Sequence, residues 1–142
     1  MTNDRAAELE TETEWRESYP LMSQLRTDLD EERYLEFIRS KDGEYRLFAR
    51  RDTDKIVSLA GVEVLENLYH GHHLWVHELV THNAYRSRGL GADLLDYLAE
   101  WSREKDCDSI VLSSGLGRED AHRFYEERTD LERVSYVFKA SL

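Results

Sequence analysis

The chain has 142 residues, of which 40% are apolar, and its formal net charge at pH 7 is −11. This length suits one domain over 1–142, and the apolar content excludes a disordered chain. Because an acidic surface repels phosphate backbones, nucleic acid is not expected as a partner.

The sequence also indicates a compartment. No apolar run approaches the length of a membrane span, and residues 1–5 open no hydrophobic signal region. The single cysteine, Cys107, cannot form an internal disulfide, which agrees with a reducing compartment. We therefore expect a cytoplasmic protein without a membrane partner.

The first half of the chain is predicted to contain two helices followed by strands. Residues 1–13 show no clear period and are expected to fray or to form a short first strand. A helix begins near Glu14, with Pro20 marking a bend or a break, and a second runs over 30–39 with Asp30 as its N-cap. The period then changes to two, which predicts strands over 45–49, 56–65 and 74–81. The last of these is almost continuously apolar, so we expect it to lie centrally in a sheet.

The second half alternates between helices and strands. A strongly amphipathic helix begins near Leu90, with leucines on one side and acidic residues on the other. A short strand over 109–112, a helix over 119–128 and a closing strand over 134–139 complete the pattern. This order predicts a mixed α/β domain.

The most informative segment is Arg86-Ser87-Arg88-Gly89-Leu90-Gly91-Ala92, between an apolar strand and the amphipathic helix. Such a turn presents backbone N–H groups at a helix N-terminus, where the helix dipole also favours negative charge. Glycines 89 and 91 remove side chains that would hold a bulky anion away, and Arg86 and Arg88 add positive charge. The predicted ligand is a phosphate or pyrophosphate, although the glycine spacing alone also fits a purely structural turn.

Two motifs carry a family resemblance. Arg86-x-x-Gly89-x-Gly91 resembles the (Gln/Arg)-x-x-Gly-x-(Gly/Ala) pyrophosphate loop of the GNAT superfamily of N-acyltransferases, and it stands where that family has it. Downstream, Leu112-Ser113-Ser114-Gly115 and the run over 118–126 resemble small GNAT enzymes with Ser-Gly, then Arg, then Ala-His-Arg-Phe-Tyr. The resemblance is close over 74–138. It departs at Ser113, where many of these enzymes have Asp, and at Asp130-Leu131, which replaces Gly-Phe.

The resemblance implies a twisted mixed sheet of about six or seven strands flanked by about four helices. It also implies an N-acetyltransferase that moves the acetyl group of acetyl-CoA to a primary amine, by direct transfer in a ternary complex and without a metal. The backbone of Leu79, Val80 and Thr81 would hold the pantetheine arm and the thioester, and residues 86–92 would hold the pyrophosphate. Tyr125 matches the family's general acid, which protonates the leaving sulfur; packing beside its neighbour Phe124 is the alternative.

The general base is open between His77 and Glu78, the only ionisable residues inside the apolar strand. Strand alternation predicts that they lie on opposite faces, with His77 on the side of Trp75 and Leu79. Histidine titrates near neutral pH, and family members carry a His or Glu base on that side. An acidic residue often precedes this Leu in the family, which supports Glu78. Either residue could instead be a satisfied member of the core or of the sheet edge.

The sequence does not identify the acceptor. In the family the acceptor pocket is built from the N-terminal helices and variable loops, and the acidic chain suits a small-molecule or peptide amine that is cationic. The cluster of His70, His72 and His73 lacks a carboxylate or cysteine at ligand spacing, so a solvated turn is expected rather than a metal site. Candidate acceptor-pocket residues are Trp15, Tyr19, Tyr34, Tyr69 and His72.

Two further functions stay open at this point. One is a non-catalytic acyl-CoA-binding sensor or interaction module on the same fold, and the other is a nucleotide-phosphate binder that uses the Gly89 turn. Dimers are common in the family, so a homodimer is one option for the assembly.

Overall fold

The computed structural model describes residues 6–86 and 88–142. They fall into two compact units, one ending at Val111 and the other spanning Leu112–Leu142. In chain order the elements are β1 (Ala6–Leu9), α1 (Glu12–Leu25), α2 (Glu31–Ser40), β2 (Arg46–Asp52), β3 (Lys55–Asn67), β4 (Gly71–Thr81), a 3-10 turn (Asn83–Tyr85), α3 (Leu90–Glu104), β5 (Ser109–Leu112) and α4 (Glu119–Arg128).

The strands form one sheet in the order β1-β2-β3-β4-β5, and the first four pair antiparallel. The prediction that β4 lies inside the sheet is confirmed, because it stands between β3 and β5. The short first strand is confirmed as β1. The part of the chain that the structure describes thus confirms a mixed α/β fold, with one sheet and four α-helices.

One face of the sheet packs against α1 and α2. Apolar side chains from both helices meet those of β1 to β4 there, since each helix presents an apolar stripe to the sheet. We call this side the α1/α2 face. Its buried cluster comprises Leu9, Leu21, Met22, Tyr34, Ile38, Tyr45, Leu47, Ala49, Ile56, Leu59 and Val80.

The opposite face packs against α3. Leu94 and Leu98 of this helix are fully buried, and the Phe48 ring of β2 lies 5.0 Å from the Trp101 ring. The acidic residues of α3 point to solvent as its helical period predicts.

Both N-terminal helices begin at capping residues. Thr11 and Glu14 form a capping box at α1, in which the Thr11 side chain accepts the Glu14 N–H at 3.2 Å. Asp30 caps α2 as predicted, accepting the Arg33 N–H at 2.8 Å. Of the bend or break expected at Pro20, the break is wrong, because α1 runs through this residue to Leu25; the bend stays a prediction.

The second unit contains α4 and a C-terminal segment, residues 131–142, without an assigned helix or strand. The predicted closing strand over 134–139 is wrong, since no strand is assigned there and Phe138 is 92% exposed. The described residues therefore form five strands rather than six or seven. Alternating apolar residues favour a strand, but a strand forms only where another strand pairs with its backbone.

Among the described residues, no helix is long and apolar enough to cross a membrane.

Candidate active site

The central feature of the first unit is a bulge in β4. Gly61 of β3 lies opposite Glu78, and the next residue, Val62, lies opposite Val76, so His77 is an extra residue in β4. A bulge of this kind interrupts the alternation of side chains along a strand.

The bulge brings His77 and Glu78 to the same face of the sheet. Both side chains lie beside Tyr45, a member of the α1/α2 core. The predicted placement on opposite faces is therefore wrong. His77 shares its face with Trp75, as expected, but not with Leu79, which pairs with Ala60 on the α3 side.

Both carboxylate oxygens of Glu78 have partners. The Tyr45 hydroxyl donates to Oε1 at 2.6 Å, and Arg26 donates to Oε2 at 3.2 Å and to the His77 carbonyl at 3.0 Å. Burial, together with the Glu78 charge, raises the pKa of Tyr45 well above its usual range. Tyr45 therefore keeps its proton and holds Glu78 in place.

Gly61 makes room for this hydrogen bond. A Cβ at this position would stand 1.9 Å from the Tyr45 hydroxyl oxygen and 2.6 Å from Glu78 Oε1. Gly61 was not predicted as a site residue from the sequence, although an isolated glycine inside an apolar strand indicates a bulge or a close approach of another group.

His77 is held from the other side. Its Nε2 lies 2.8 Å from Glu63 Oε1, and the Lys41 ammonium lies 4.0 Å from the same oxygen. The His77 side chain is 32% exposed, so the ring reaches solvent. Glu63 was not selected from the sequence; it faces His77 because it lies opposite Trp75, two residues after Gly61 on the neighbouring strand.

The end of β4 connects the bulge to the glycine turn. Val80 is buried in the α1/α2 core. The Thr81 hydroxyl lies 3.2 Å from the Ser58 hydroxyl, and the Thr81 carbonyl accepts the Gln24 side-chain amide at 2.8 Å. These contacts fix the last residues of the strand from Leu79 onward against α1 and β3.

The glycine turn forms the start of α3. Gly89 is the N-cap, in the left-handed region with φ 75°, and provides no side-chain cap for the helix. Its carbonyl accepts the Asp93 N–H at 2.9 Å, while N–H groups in the first turn of a helix have no acceptor within it. A Cβ at Gly89 would meet nothing within 4 Å, so the space above the turn is open.

Of the residues predicted for this turn, Ser87 lies outside the described residues. Leu90 and Gly91 are buried, and Ala92 is half-buried in the first turn of α3. These three residues supply the N–H groups at the helix start.

Positive charge collects beside the turn. Arg86 and Arg88 are exposed, and the Arg88 guanidinium lies 5.0 Å from the centre of the Tyr85 ring. The Lys55 ammonium lies 5.6 Å from the same ring. Lys55 and Tyr85 were not selected from the sequence, because Lys55 reaches this place from the start of β3, far away in the chain.

Tyr125 lies on α4 in the second unit and is half-buried. Burial raises the pKa of its hydroxyl, an effect that Arg118 partly offsets. The Phe124 ring is 5.4 Å away, and the Tyr125 carbonyl accepts the Thr129 hydroxyl. A raised pKa keeps the proton on the phenol, which a general acid requires.

The histidine cluster differs from the expected solvated turn. His73 is fully buried in β4, and its Nδ1 lies 2.9 Å from the Gly71 carbonyl oxygen. His70 precedes the strand, and its ring packs 5.2 Å from that of His73. Within 6–86 and 88–142, no three or more His, Cys, Asp or Glu residues are grouped as a metal site would need.

The candidate residues for the acceptor pocket differ in their burial and in their hydrogen bonds. Tyr34 is 2% exposed and its hydroxyl lies 2.7 Å from that of Ser18, so its assignment to the pocket is wrong. The hydroxyl of Tyr19 and the indole of Trp15 donate to backbone carbonyls inside the first unit. Tyr69 is exposed and His72 is half-buried at the start of β4, so both stay candidates.

Comparison with known proteins agrees with this architecture. The model of the acetyltransferase (GNAT) family matches residues 9–129. An uncharacterized N-acetyltransferase, YhdJ of Bacillus subtilis (strain 168), is 42% identical over 134 residues, which cover 93% of this chain and 94% of the relative. The chain belongs to the GNAT family and is an acyltransferase enzyme.

Solved structures show the same fold at low identity. An aminoglycoside N-acetyltransferase, AAC(6')-Iy in complex with CoA, has a TM-score of 0.84 at 12% identity, covering 96% of this chain and 93% of that one. A ribosomal-protein-alanine N-acetyltransferase from Brucella melitensis biovar Abortus 2308 has a TM-score of 0.78 at 21% identity, covering 96% and 98%. A transcriptional regulator from Bacillus halodurans C-125 has a TM-score of 0.80 at 23% identity, with the same coverage.

Proposed function

We propose that this enzyme transfers the acetyl group of acetyl-CoA to a primary amine by direct attack in a ternary complex. The observation that carries the proposal is the turn at the start of α3, where Gly89 leaves the helix N–H groups without a side-chain cap in open space. Arg86, Arg88 and Lys55 add positive charge beside it in an otherwise acidic chain. This combination suits a pyrophosphate.

The residues of the turn and of the strand before it divide the binding of the donor. Residues 86–92 would hold the pyrophosphate through backbone N–H groups and arginines. The backbone of Leu79, Val80 and Thr81 would hold the pantetheine arm and the thioester, as the family motif implies. The contacts of Thr81 with Gln24 and Ser58 keep this strand end rigid, which favours a fixed thioester position.

The chemistry needs one proton acceptor and one proton donor. The amine nitrogen forms a bond to the acetyl carbon while the carbon–sulfur bond breaks, so the amine loses a proton and the sulfur gains one. Tyr125 is proposed as the donor, on its motif and on its raised pKa. His77 and Glu78 on the β4 bulge are the candidates for the acceptor of the amine proton.

Three related proposals complete this function. The family model spans both compact units, which favours a single catalytic domain over 1–142. A cytoplasmic location is proposed because a single cysteine, which cannot form an internal disulfide, suits a reducing compartment. A homodimer is proposed because dimers are common in the family. The acceptor is proposed to be cationic, because the net charge of −11 attracts cations.

Turnover with a small panel of amines tests the proposal. The panel contains an aminoglycoside, a peptide with an N-terminal alanine and an aliphatic diamine, and the release of CoA thiol and acetylated product are both measured. We expect the wild type to acetylate at least one member of the panel. Tyr125→Phe should lower the rate of that reaction about 100-fold or more without changing acetyl-CoA binding, because it removes the general acid. Tyr136→Phe, at an exposed tyrosine of the same unit, is the matched control.

Binding of acetyl-CoA without acetylation of any amine would contradict catalysis and support the acyl-CoA sensor instead. Competition by ATP but not by CoA would support the nucleotide-phosphate binder.

A further inference from the structure

The carboxylate of Glu63 determines which nitrogen of His77 carries a proton. Nε2 of His77 lies 2.8 Å from Glu63 Oε1, and an ionised carboxylate only accepts hydrogen bonds. Nε2 must therefore be the N–H donor. In the neutral ring the lone pair is then on Nδ1, the nitrogen that can take up a proton.

Glu78 is less suited than His77 to accept the proton of the amine. Its two oxygens accept from Tyr45 and Arg26, and Tyr45 is 4% exposed, so that hydrogen bond has little room to move. Glu78 thus has the contacts of a structural group that fixes the bulge.

We propose that His77 Nδ1 is the general base for the acceptor amine and that Glu63 is the residue that positions it. This inference rests on the proposed function and chooses between the two bases left open there. In the step, the amine nitrogen bonds to the acetyl carbon and the electron pair of the broken carbon–sulfur bond stays on sulfur. The nitrogen's proton passes to Nδ1, while the Nε2 proton stays in its hydrogen bond with Glu63.

The surroundings of His77 suit this role. The imidazolium formed in the step is stabilised by the Glu63 carboxylate, and its partly exposed ring can return the proton to solvent. The centres of the Tyr45 and Trp75 rings lie 6.0 Å and 6.4 Å from that of the imidazole, and the Glu63 contact at Nε2 fixes the orientation of the ring. The charged groups that face this part of the sheet are Glu63 of β3, Glu78 of β4, Arg26 at the end of α1 and Lys41 at the end of α2.

The first experiment reads the tautomer without turnover. Two-bond proton–nitrogen NMR spectra of ¹⁵N-labelled protein, recorded above the usual titration range of histidine at about pH 8, identify the protonated ring nitrogen, and His77→Gln assigns the signals. We expect the Nε2–H form in the wild type. Glu63→Gln should lose this preference, since an amide can donate to Nε2, whereas Glu66→Gln, at an exposed position of the same strand, should keep it.

The second experiment reads kcat, with the panel acceptor that the wild type acetylates fastest. We expect His77→Gln to lower kcat about 100-fold and Glu63→Gln about 10-fold or more, with unchanged acetyl-CoA affinity. Glu66→Gln should stay within about threefold of the wild type, because it removes neither the base nor its positioning partner.

Different failures have different meanings. An Nδ1–H tautomer in the wild type would overturn the role of Glu63, whatever the activity. A wild type that acetylates an amine, together with a fully active His77→Gln, would overturn the base assignment alone. A wild type that binds acetyl-CoA but acetylates no amine would overturn the proposed function and the base assignment together.

Discussion

At the scale of single residues, Gly61 decides the shape of the site. Any side chain there would overlap the hydroxyl of buried Tyr45 and the carboxylate of half-buried Glu78, which are hydrogen-bonded to each other. We predict that Gly61→Ala lowers the free energy of unfolding by about 1–3 kcal/mol, as measured by urea denaturation. Gly117→Ala, where a Cβ meets nothing within 4 Å, should change it by no more than about 0.5 kcal/mol. Equal effects of the two substitutions would contradict the close packing at Gly61.

Tyr45 makes the free energy of unfolding depend on pH, and the direction of the dependence follows from its pKa. Burial raises its pKa in the folded state. The stability it contributes is therefore fully present below its unfolded pKa, about 10, and is lost as pH rises through the folded value. We predict that the free energy of unfolding of the wild type falls above about pH 10, and that Tyr45→Phe falls less steeply. Urea titrations from neutral to alkaline pH measure both slopes, and parallel slopes would contradict the assignment.

At the scale of elements, the start of α1 depends on its capping box. Thr11 accepts the Glu14 N–H, and the Glu14 carboxylate accepts the Thr11 N–H at 3.1 Å. Thr11→Ala is predicted to destabilise the protein by about 1 kcal/mol, measured as a shift of the urea midpoint. Thr13→Ala, inside the same turn and exposed, should be neutral or slightly stabilising because alanine favours the helix interior. A larger loss of stability in Thr13→Ala than in Thr11→Ala would contradict the contribution of the cap.

The elements that sequence predicted well are those with strong local patterns. The strand over 109–112 and the helix over 119–128 have the predicted bounds, and Asp30 caps α2 because its side chain serves its own helix. These features depend on residues close in the chain, which is why periodicity and capping chemistry find them.

The features that were missed depend on distant partners. The β4 bulge follows from the pairing of Glu78 with Gly61 and from the hydrogen bond with Tyr45, which lies 33 residues earlier. The same holds for Glu63, which meets His77 across the sheet, and for Lys55 beside the Tyr85 ring. The alternation over 134–139 is real, but strand formation also needs a pairing partner, which local sequence does not supply.

At the scale of the whole molecule, overall charge and local charge oppose each other. The net charge of −11 repels an anionic donor, whereas Arg86, Arg88 and Lys55 beside Tyr85 attract it. Since the Debye length falls from about 10 Å at 0.1 M salt to about 3 Å at 1 M, added salt screens both effects. We predict that salt weakens acetyl-CoA binding in calorimetry, because the local cations lie nearest to the phosphates. Lys55→Gln should make acetyl-CoA binding less sensitive to salt. Stronger binding of acetyl-CoA by the wild type at high salt would contradict the prediction.

The central claim is that the turn at the start of α3 holds the pyrophosphate of acetyl-CoA. Calorimetry of acetyl-CoA binding to the wild type, Gly89→Glu and Gly43→Glu tests it most directly. Gly43 is a matched control, since it also has a positive φ, 85° against 75°, and a Cβ added there would also meet nothing within 4 Å. A glutamate at the turn would place a carboxylate on the N–H groups meant for phosphate.

We predict micromolar binding by the wild type and Gly43→Glu, and binding weakened at least about tenfold in Gly89→Glu. Equal affinity of all three proteins, or no binding by a folded wild type at low and high salt, would contradict the claim.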